Sequence, residues 1–327
     1  MLSTRASLQR TTVVKKAVRQ RKSIRASSLR FYLFASPWLL GFIALTLFPL
    51  GYALMISFTN FDGINERFHW VGLRNYFEVF QDALAWSGFA RTLLYTIITV
   101  PCSIAGGLGL AILLNRRMRV VGLLRTIFYL PSVVPIIATA IMFNLMFDRD
   151  IGGINALLEL FHIPIITWLI DPTAFAVLIV MVLWGLGGGM MISLAGLQGV
   201  PVELLEAAHV DGANPWLRFW RITLPMLSPV LFFQVVTAFI YALQTLVQPL
   251  LLSPGAAAAG GNVVSVPASN QLYMIHVYEE FFFYQRFGYG SALLWVLFVL
   301  ILIITLLIFR SSAIWVYYEI GQEGGRK

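Results

Sequence analysis

The chain has 327 residues, of which 59% are hydrophobic and only 12% charged, with a formal charge of +8. Soluble domains carry roughly 25% charged residues, so a soluble globular fold is excluded. A mean hydropathy of +0.80 assigns the chain to the membrane.

The charges leave six long gaps, at 33–59, 92–115, 126–147, 172–202, 222–277 and 287–309. A spanning helix needs about 20 apolar residues, and a charge at its centre costs about 2.5–3.5 kcal/mol on insertion scales. The fifth gap could hold two helices, but 253–270 is rich in Gly, Ala, Ser and Pro and reads as a loop. Six spans follow, near 33–58, 92–115, 126–147, 173–195, 226–252 and 288–310. The segments are too long and too uniformly apolar for barrel strands, and lipid leaves only helices otherwise. The expectation is an all-α membrane protein of about six transmembrane helices, with one transmembrane domain over 31–318 and no internal repeat.

Ahead of the first span, residues 1–30 carry nine Lys and Arg and no acid. This basic tail reads as a cytoplasmic segment near anionic lipid rather than as a nucleic-acid arm. Alternating the loops then puts every Lys and Arg inside except Arg67, Arg74, Arg91, Arg149 and Arg286. The bias predicts both termini in the cytoplasm, with 319–327 as a short C-terminal tail. The first span is too long, and lacks a small-x-small site, for a cleaved signal peptide.

The second span carries Pro101 and Gly106-Gly107-x-Gly109, small residues that allow close helix approach. Its single cysteine, Cys102, permits no internal disulfide. A basic turn at Asn115-Arg116-Arg117-Met118-Arg119 leads to a third span, where Pro131 and Pro135 predict a kink. In the outer loop that follows, 154–161 could form a short interfacial helix. The fourth span holds Gly185 and Gly187-Gly188-Gly189; a close crossing or a pivot would explain them.

The most informative segment is 198–225, between the fourth and fifth spans. Pro201 suits the first turn of a helix, and Glu203 favours the positive end of its dipole. The helix runs through Glu206-Ala207-Ala208-His209 and ends at Asp211-Gly212, where glycine can adopt a left-handed conformation. Asn214 is a good N-cap and Pro215 a good first residue for a second short helix carrying Trp216, Phe219 and Trp220. A helix-turn-helix of this kind could bind DNA, but a membrane tether on both sides argues against it. A passive loop has little use for small alanines and a turn glycine beside exposed aromatics.

The string E-A-A-x-x-D-G-A with a following I-T-L-P resembles the EAA loop of permease subunits in binding-protein-dependent ABC importers. The matching residues are Glu206, Ala207, Ala208, Asp211, Gly212, Ala213, Ile222, Thr223, Leu224 and Pro225. Val71-Gly72-Leu73-x-Asn75-Tyr76, Tyr129-Leu130-Pro131 and Phe287-Gly288-Tyr289-Gly290-Ser291-Ala292 resemble further motifs of the carbohydrate-uptake branch, that of the maltose and glycerol-3-phosphate importers. The resemblance implies a type I importer permease fold, in which 198–225 is a coupling segment docking on a separate ATPase dimer. It implies a second permease subunit forming a heterodimer, an extracytoplasmic solute-binding protein, and location in the bacterial or archaeal cell membrane. ATP and Mg would be used by the partner ATPase, with no cofactor bound by this chain. In agreement, the four lysines, Lys15, Lys16, Lys22 and Lys327, include none in a Walker A motif.

No Asp, Glu, Lys or Arg lies deep in an expected span, which weakens an ion-coupled secondary carrier as the alternative. His162 and His276 are outside and isolated, so no metal site is expected. In the fifth span Gln234, Tyr241, Gln244 and Gln248 recur at steps that place them on one helical face, with Thr237 and Thr245 beside it. This stripe either lines the solute path or bonds to the second permease. Asn144 and Trp184 are weaker candidates. Lack of a cation in the spans favours a neutral sugar or oligosaccharide over glycerol 3-phosphate; a polyol stays open.

Overall fold

A computed structural model describes residues 32–65, 68–116, 119–253 and 266–317. The tails 1–30 and 319–327, Arg117 of the basic turn, and most of loop 253–270 lie outside the described residues.

The first candidate span is α1 (Tyr32–Ile56). Its winding loosens to π-type at Ile43–Leu47, just ahead of Pro49. A proline has no N–H for the preceding turn, so the ladder widens there. The connection after α1 contains a helix that the charge pattern leaves unseen, α2 (Arg74–Gln81), which buries Asn75 and Val79. The Asn75 amide donates to the carbonyls of Ser57 at 2.8 Å and Thr59 at 2.9 Å, fastening α2 to the end of α1.

The second span, α3 (Ala83–Leu114), begins nearer the N-terminus than expected. Asp82 caps it by accepting from the N–H groups of Leu84 and Ala85. Arg91 had set the expected boundary at 92. Its guanidinium instead leaves the helix side and donates to the Gln271 carbonyl at 3.0 Å, so its charge does not stop the helix.

The third span is two helices, α4 (Val121–Val133) and α5 (Ile136–Met146), meeting at 96°. Val134 and Pro135 are extended, with ψ of 132° and 137°, because a residue before proline is pushed out of the helical region. Pro135 alone makes the break; Pro131 sits inside α4. The helix α6 (Gly153–Leu160) forms where a short helix was expected. The fourth span, α7 (Ala174–Trp184) and α8 (Gly187–Gln198), bends by 42° at Gly185 and Leu186. A Cβ on Gly187 would lie 2.3 Å from the Phe128 carbonyl of α4, and one on Gly107 would lie 3.1 Å from the Met190 nitrogen of α8. The glycines thus serve a close crossing as well as a bend.

After the short helix α9 (Val202–Val210), the chain enters α10 (Pro215–Leu243), which is continuous into the fifth span. Two short helices joined at Gly212 were expected; the second is instead the start of a 29-residue helix. A π-type turn at Phe219–Thr223 precedes Pro225 and keeps the helix unbroken there. The fifth span breaks after Leu243 and resumes as α11 (Val247–Leu251). The expected outer loop contains a buried-face helix, α12 (Tyr273–Phe282), before the last span, α13 (Phe287–Trp315). Counting each bent pair once, the described residues hold six candidate spans.

Helix α3 is central. Its Tyr95 and Val100 pack with Phe143, Leu178, Met181 and Leu272 from the other helices. A second cluster joins Val79, Ala85, Tyr273, Tyr289 and Leu293 near the start of α3.

Candidate functional site

The segment between α8 and α10 is built by local rules. Pro201 is the residue before α9, with ψ of 127°, rather than in its first turn. At the other end Asp211 closes the helix and Gly212 takes φ of +79°. The Gly212 N–H donates to the His209 carbonyl at 3.1 Å and the Ala213 N–H to the Ala208 carbonyl at 2.9 Å. These are the paired bonds of a Schellman terminus. Asn214 then caps α10 by accepting from the Leu217 N–H at 2.7 Å, with Pro215 in the first turn.

No residue of α9 is buried. Glu206, Ala207, Asp211 and Gly212 are exposed, while Ala208, Ala213 and Pro225 are half-buried. Large apolar side chains stand in the open, Val210 at 86% and Trp216 at 71% of full exposure. The segment therefore presents an apolar and aromatic surface between two polar caps, and Ala207 leaves room on it for a close approach.

The four path candidates do not share one face. Gln234 is buried, and its amide donates to the Ser193 hydroxyl of α8 at 2.9 Å. Gln244 ends α10, and Gln248 lies on α11 beyond the break. A period-3.6 reading across 244–246 fails because those residues are not helical.

The break nevertheless brings three of them together. Tyr241, Gln244 and Gln248 line a cavity of about 680 Å³ with Tyr95, Thr99 and Ser103 of α3. Gln248 also lines an adjoining cavity of about 220 Å³ with Ser132, Thr139 and Trp184. A third, of about 270 Å³, is lined by Gln234, Thr237 and Tyr241 of α10 with Gly189 of α8. No lining residue of the three is charged. Tyr241 is 76% exposed, and the amides of Gln244 and Gln248 have no protein partner among the described residues. Such a surface offers hydroxyl and amide hydrogen bonds with aromatic faces, and no fixed charge. Trp184 belongs to this surface, whereas Asn144 turns to α11, donating to the carbonyls of Leu251 and Ser253.

A polar network closes the end of the bundle where α3 begins. The Tyr289 hydroxyl donates to Asp82 Oδ2 at 2.6 Å, and His276 Nε2 lies 2.8 Å from the same oxygen. Arg286 pairs with Glu78, lies 3.4 Å from Glu280 Oε2, and sits 4.2 Å over the Tyr289 ring. Burial opposes the charge of Asp82, but hydrogen bonds from Tyr289, His276 and the Ala85 N–H outweigh it and lower its pKa. Burial raises the pKa of Glu280 against the pull of Arg286. His276 is thus not isolated; its partner is 194 residues away in sequence, beyond any local pattern.

The motifs that surround the network are geometric. A Cβ on Gly288 would lie 2.1 Å from the Thr59 carbonyl, and the Gly288 N–H donates to Phe61 at 2.9 Å. Gly72 takes φ of +62° at the turn into α2.

Comparison with known proteins agrees with this architecture. The profile of the binding-protein-dependent transport system inner membrane component matches residues 103–318. The probable ABC transporter permease protein YesP of Bacillus subtilis is 38% identical over 94% of this chain and 98% of its own. The lactose transport system permease protein LacF of Rhizobium radiobacter is 31% identical over 88% of this chain and 97% of its own. A chain of the bacterial alginate ABC transporter, solved with an alginate pentasaccharide-bound periplasmic protein, superposes with a TM-score of 0.72. It is 20% identical, and the match covers 89% of this chain and 96% of that one. The chain therefore belongs to the family of inner membrane components of binding-protein-dependent transport systems, the permease subunits of ABC importers.

Proposed function

We propose that this permease forms half of the path of an ATP-driven importer for a neutral sugar or oligosaccharide. A separate ATPase dimer, using ATP and Mg, would dock on Glu206, Ala207, Ala208, Asp211, Gly212 and Ala213. A second permease would complete a heterodimer, and an extracytoplasmic binding protein would deliver the solute. Both termini would lie in the cytoplasm, as the basic residues favour. The chain itself would catalyse nothing and bind no cofactor.

The observation that carries this reading is the continuity of α10. One helix of 29 residues, about 40 Å long at 1.5 Å per residue, begins in the exposed segment with Trp216 and ends at the cavity with Tyr241. Displacing its cytoplasmic end therefore moves the cavity wall, which couples a docked ATPase to the solute path. Pro225 falls where the loosened turn keeps that helix unbroken. The neutral sugar class draws support from the uncharged lining and from the substrate named for the lactose relative. A glycerol 3-phosphate would meet no cation on this half of the path.

Purification from its host in mild detergent tests the assembly: an ATPase and a second permease should accompany the tagged chain. Proteoliposomes of that complex, with its binding protein, should take up labelled neutral saccharide only with ATP inside. Ion-driven uptake by the chain alone would establish a secondary carrier instead.

A further inference from the structure

We infer that Asn144 is a positioning residue for Gln248, holding the short helix α11 against α5 and so setting how Gln248 meets the solute. It rests on the reading of the cavity as a solute path, although Asn144 itself does not line that cavity.

A five-residue helix has too few internal bonds to hold its own shape or place. Two links to its ends are backbone bonds, from Leu250 N–H to Leu246 and from Leu252 N–H to Gln248. Its place must come from outside. Pro249, Leu252 and Ser253 are buried, and the apolar contacts of Pro249 and Leu252 are non-directional. Direction comes from Asn144. Its amide donates to the carbonyls of Leu251 and Ser253, both at 3.2 Å. Those carbonyls lie at and just beyond the end of α11, and among the described residues only Asn144 donates to them. Among the described residues no other side chain from another helix bonds to 247–253.

Asn144 is itself fixed. It is 8% exposed and lies in α5, the half of the third span beyond the 96° break. That half of the third span and the resumed end of the fifth are thus tied by one amide, at the place where both spans have left their axes. Gln248 projects from the tied helix into two adjoining cavities. A buried amide with two carbonyl acceptors is costly to replace, because its loss strands both acceptors.

The test uses the complete transporter with its partner subunits in lipid nanodiscs, in a Cys102→Ser background. Gln248→Cys and Tyr241→Cys are each labelled by a trimethylammonium methanethiosulfonate reagent, with and without Asn144→Leu. Releasing α11 should change the labelling rate at 248 by about tenfold while the rate at 241 stays within about twofold. Asn144→Asp, which keeps the size but leaves at most one O–H donor for the two carbonyls, should act in the same direction. Unchanged labelling at 248 would overturn the inference. So would equal changes at both positions, or loss of assembly in both variants, since each describes general packing rather than placement. No solute is present, so this result is independent of the path reading. Unaltered uptake in Gln248→Leu would remove that reading and leave the tether standing.

Discussion

The N–H of Ala213 donates to the carbonyl of Ala208 across Gly212, which holds φ of +79°. That single left-handed residue turns the chain from α9 into α10. A Cβ there meets no atom within 4 Å, so substitution strains the backbone and nothing else. The left-handed conformation costs an ordinary residue roughly 1–2 kcal/mol, and a β-branched one more. Gly212→Ala should therefore weaken uptake mildly, and Gly212→Val should raise the ATP hydrolysed per solute imported severalfold, with normal membrane insertion. Tight coupling in Gly212→Val would place the docking surface elsewhere.

Adjacent glycines in the fourth span should behave differently. The Cβ of Gly187→Ala would fall 2.3 Å from the Phe128 carbonyl, a backbone atom, whereas at Gly188 the nearest atom is Ser132 Cβ at 3.9 Å. Overpacking of this kind costs about 1–3 kcal/mol. Gly187→Ala should lower the melting temperature in detergent and reduce assembled complex, and Gly188→Ala should leave both close to wild type. Equal melting temperatures would mean that α4 and α8 separate freely at their crossing.

Charge gaps and turn chemistry made much of this legible in the sequence. The six spans, the Gly212 terminus and the Asn214 cap each depend on residues within a few positions of one another. What was illegible depends on distant partners. Arg91 looks like the edge of a span until Gln271 is beside it, and Asp82 looks like a loop acid until His276 and Tyr289 meet it. The helix α12 hides because its polar residues, His276 and Glu280, are buried against the network around Asp82. The break after Leu243 precedes Pro249, which has no N–H for the Thr245 carbonyl and crowds that turn, a signal that the charge gaps do not carry. The period across Gln234, Tyr241, Gln244 and Gln248 consequently read as one face.

That correction sorts the four residues. Gln234 spends its amide on Ser193 within the fold, so Gln234→Leu should cost about 1 kcal/mol of stability and leave the choice of solute unchanged. Gln244→Leu and Gln248→Leu break no side-chain hydrogen bond among the described residues; they should melt as wild type and reduce uptake of the preferred saccharide about tenfold, the loss of one well-made hydrogen bond to solute. Uptake and melting curves on the same four preparations, wild type included, separate the roles. A selectivity change in Gln234→Leu alone would reverse the assignment.

The network of Asp82, His276, Glu280 and Tyr289 should respond to pH with opposite signs at its two carboxyls, half-buried Asp82 and buried Glu280. Asp82 has a lowered pKa in the folded protein. Its contribution is therefore present above the unfolded value of about 3.9 and is lost as pH falls through the folded one. Glu280 has a raised pKa, with burial as the main cause. Its carboxyl is protonated in both states below the unfolded value of about 4.3, and stability falls as pH rises through the folded value. At neutral pH, Asp82→Asn should melt below wild type and Glu280→Gln above it. As the pH is lowered, the gain in Glu280→Gln should shrink first, closing near the unfolded value. The deficit in Asp82→Asn should persist until more acid conditions, since its folded pKa lies lower. The Asn variant also loses a carboxylate that caps α3 and accepts from Tyr289, so part of its deficit should remain at every pH. Melting curves of the detergent-solubilised complex from pH 8 down to about pH 2, well below the unfolded Asp value, would check both slopes. A Glu280→Gln variant that melts below wild type at neutral pH would mean that the attraction of Arg286 exceeds the cost of burying the charge.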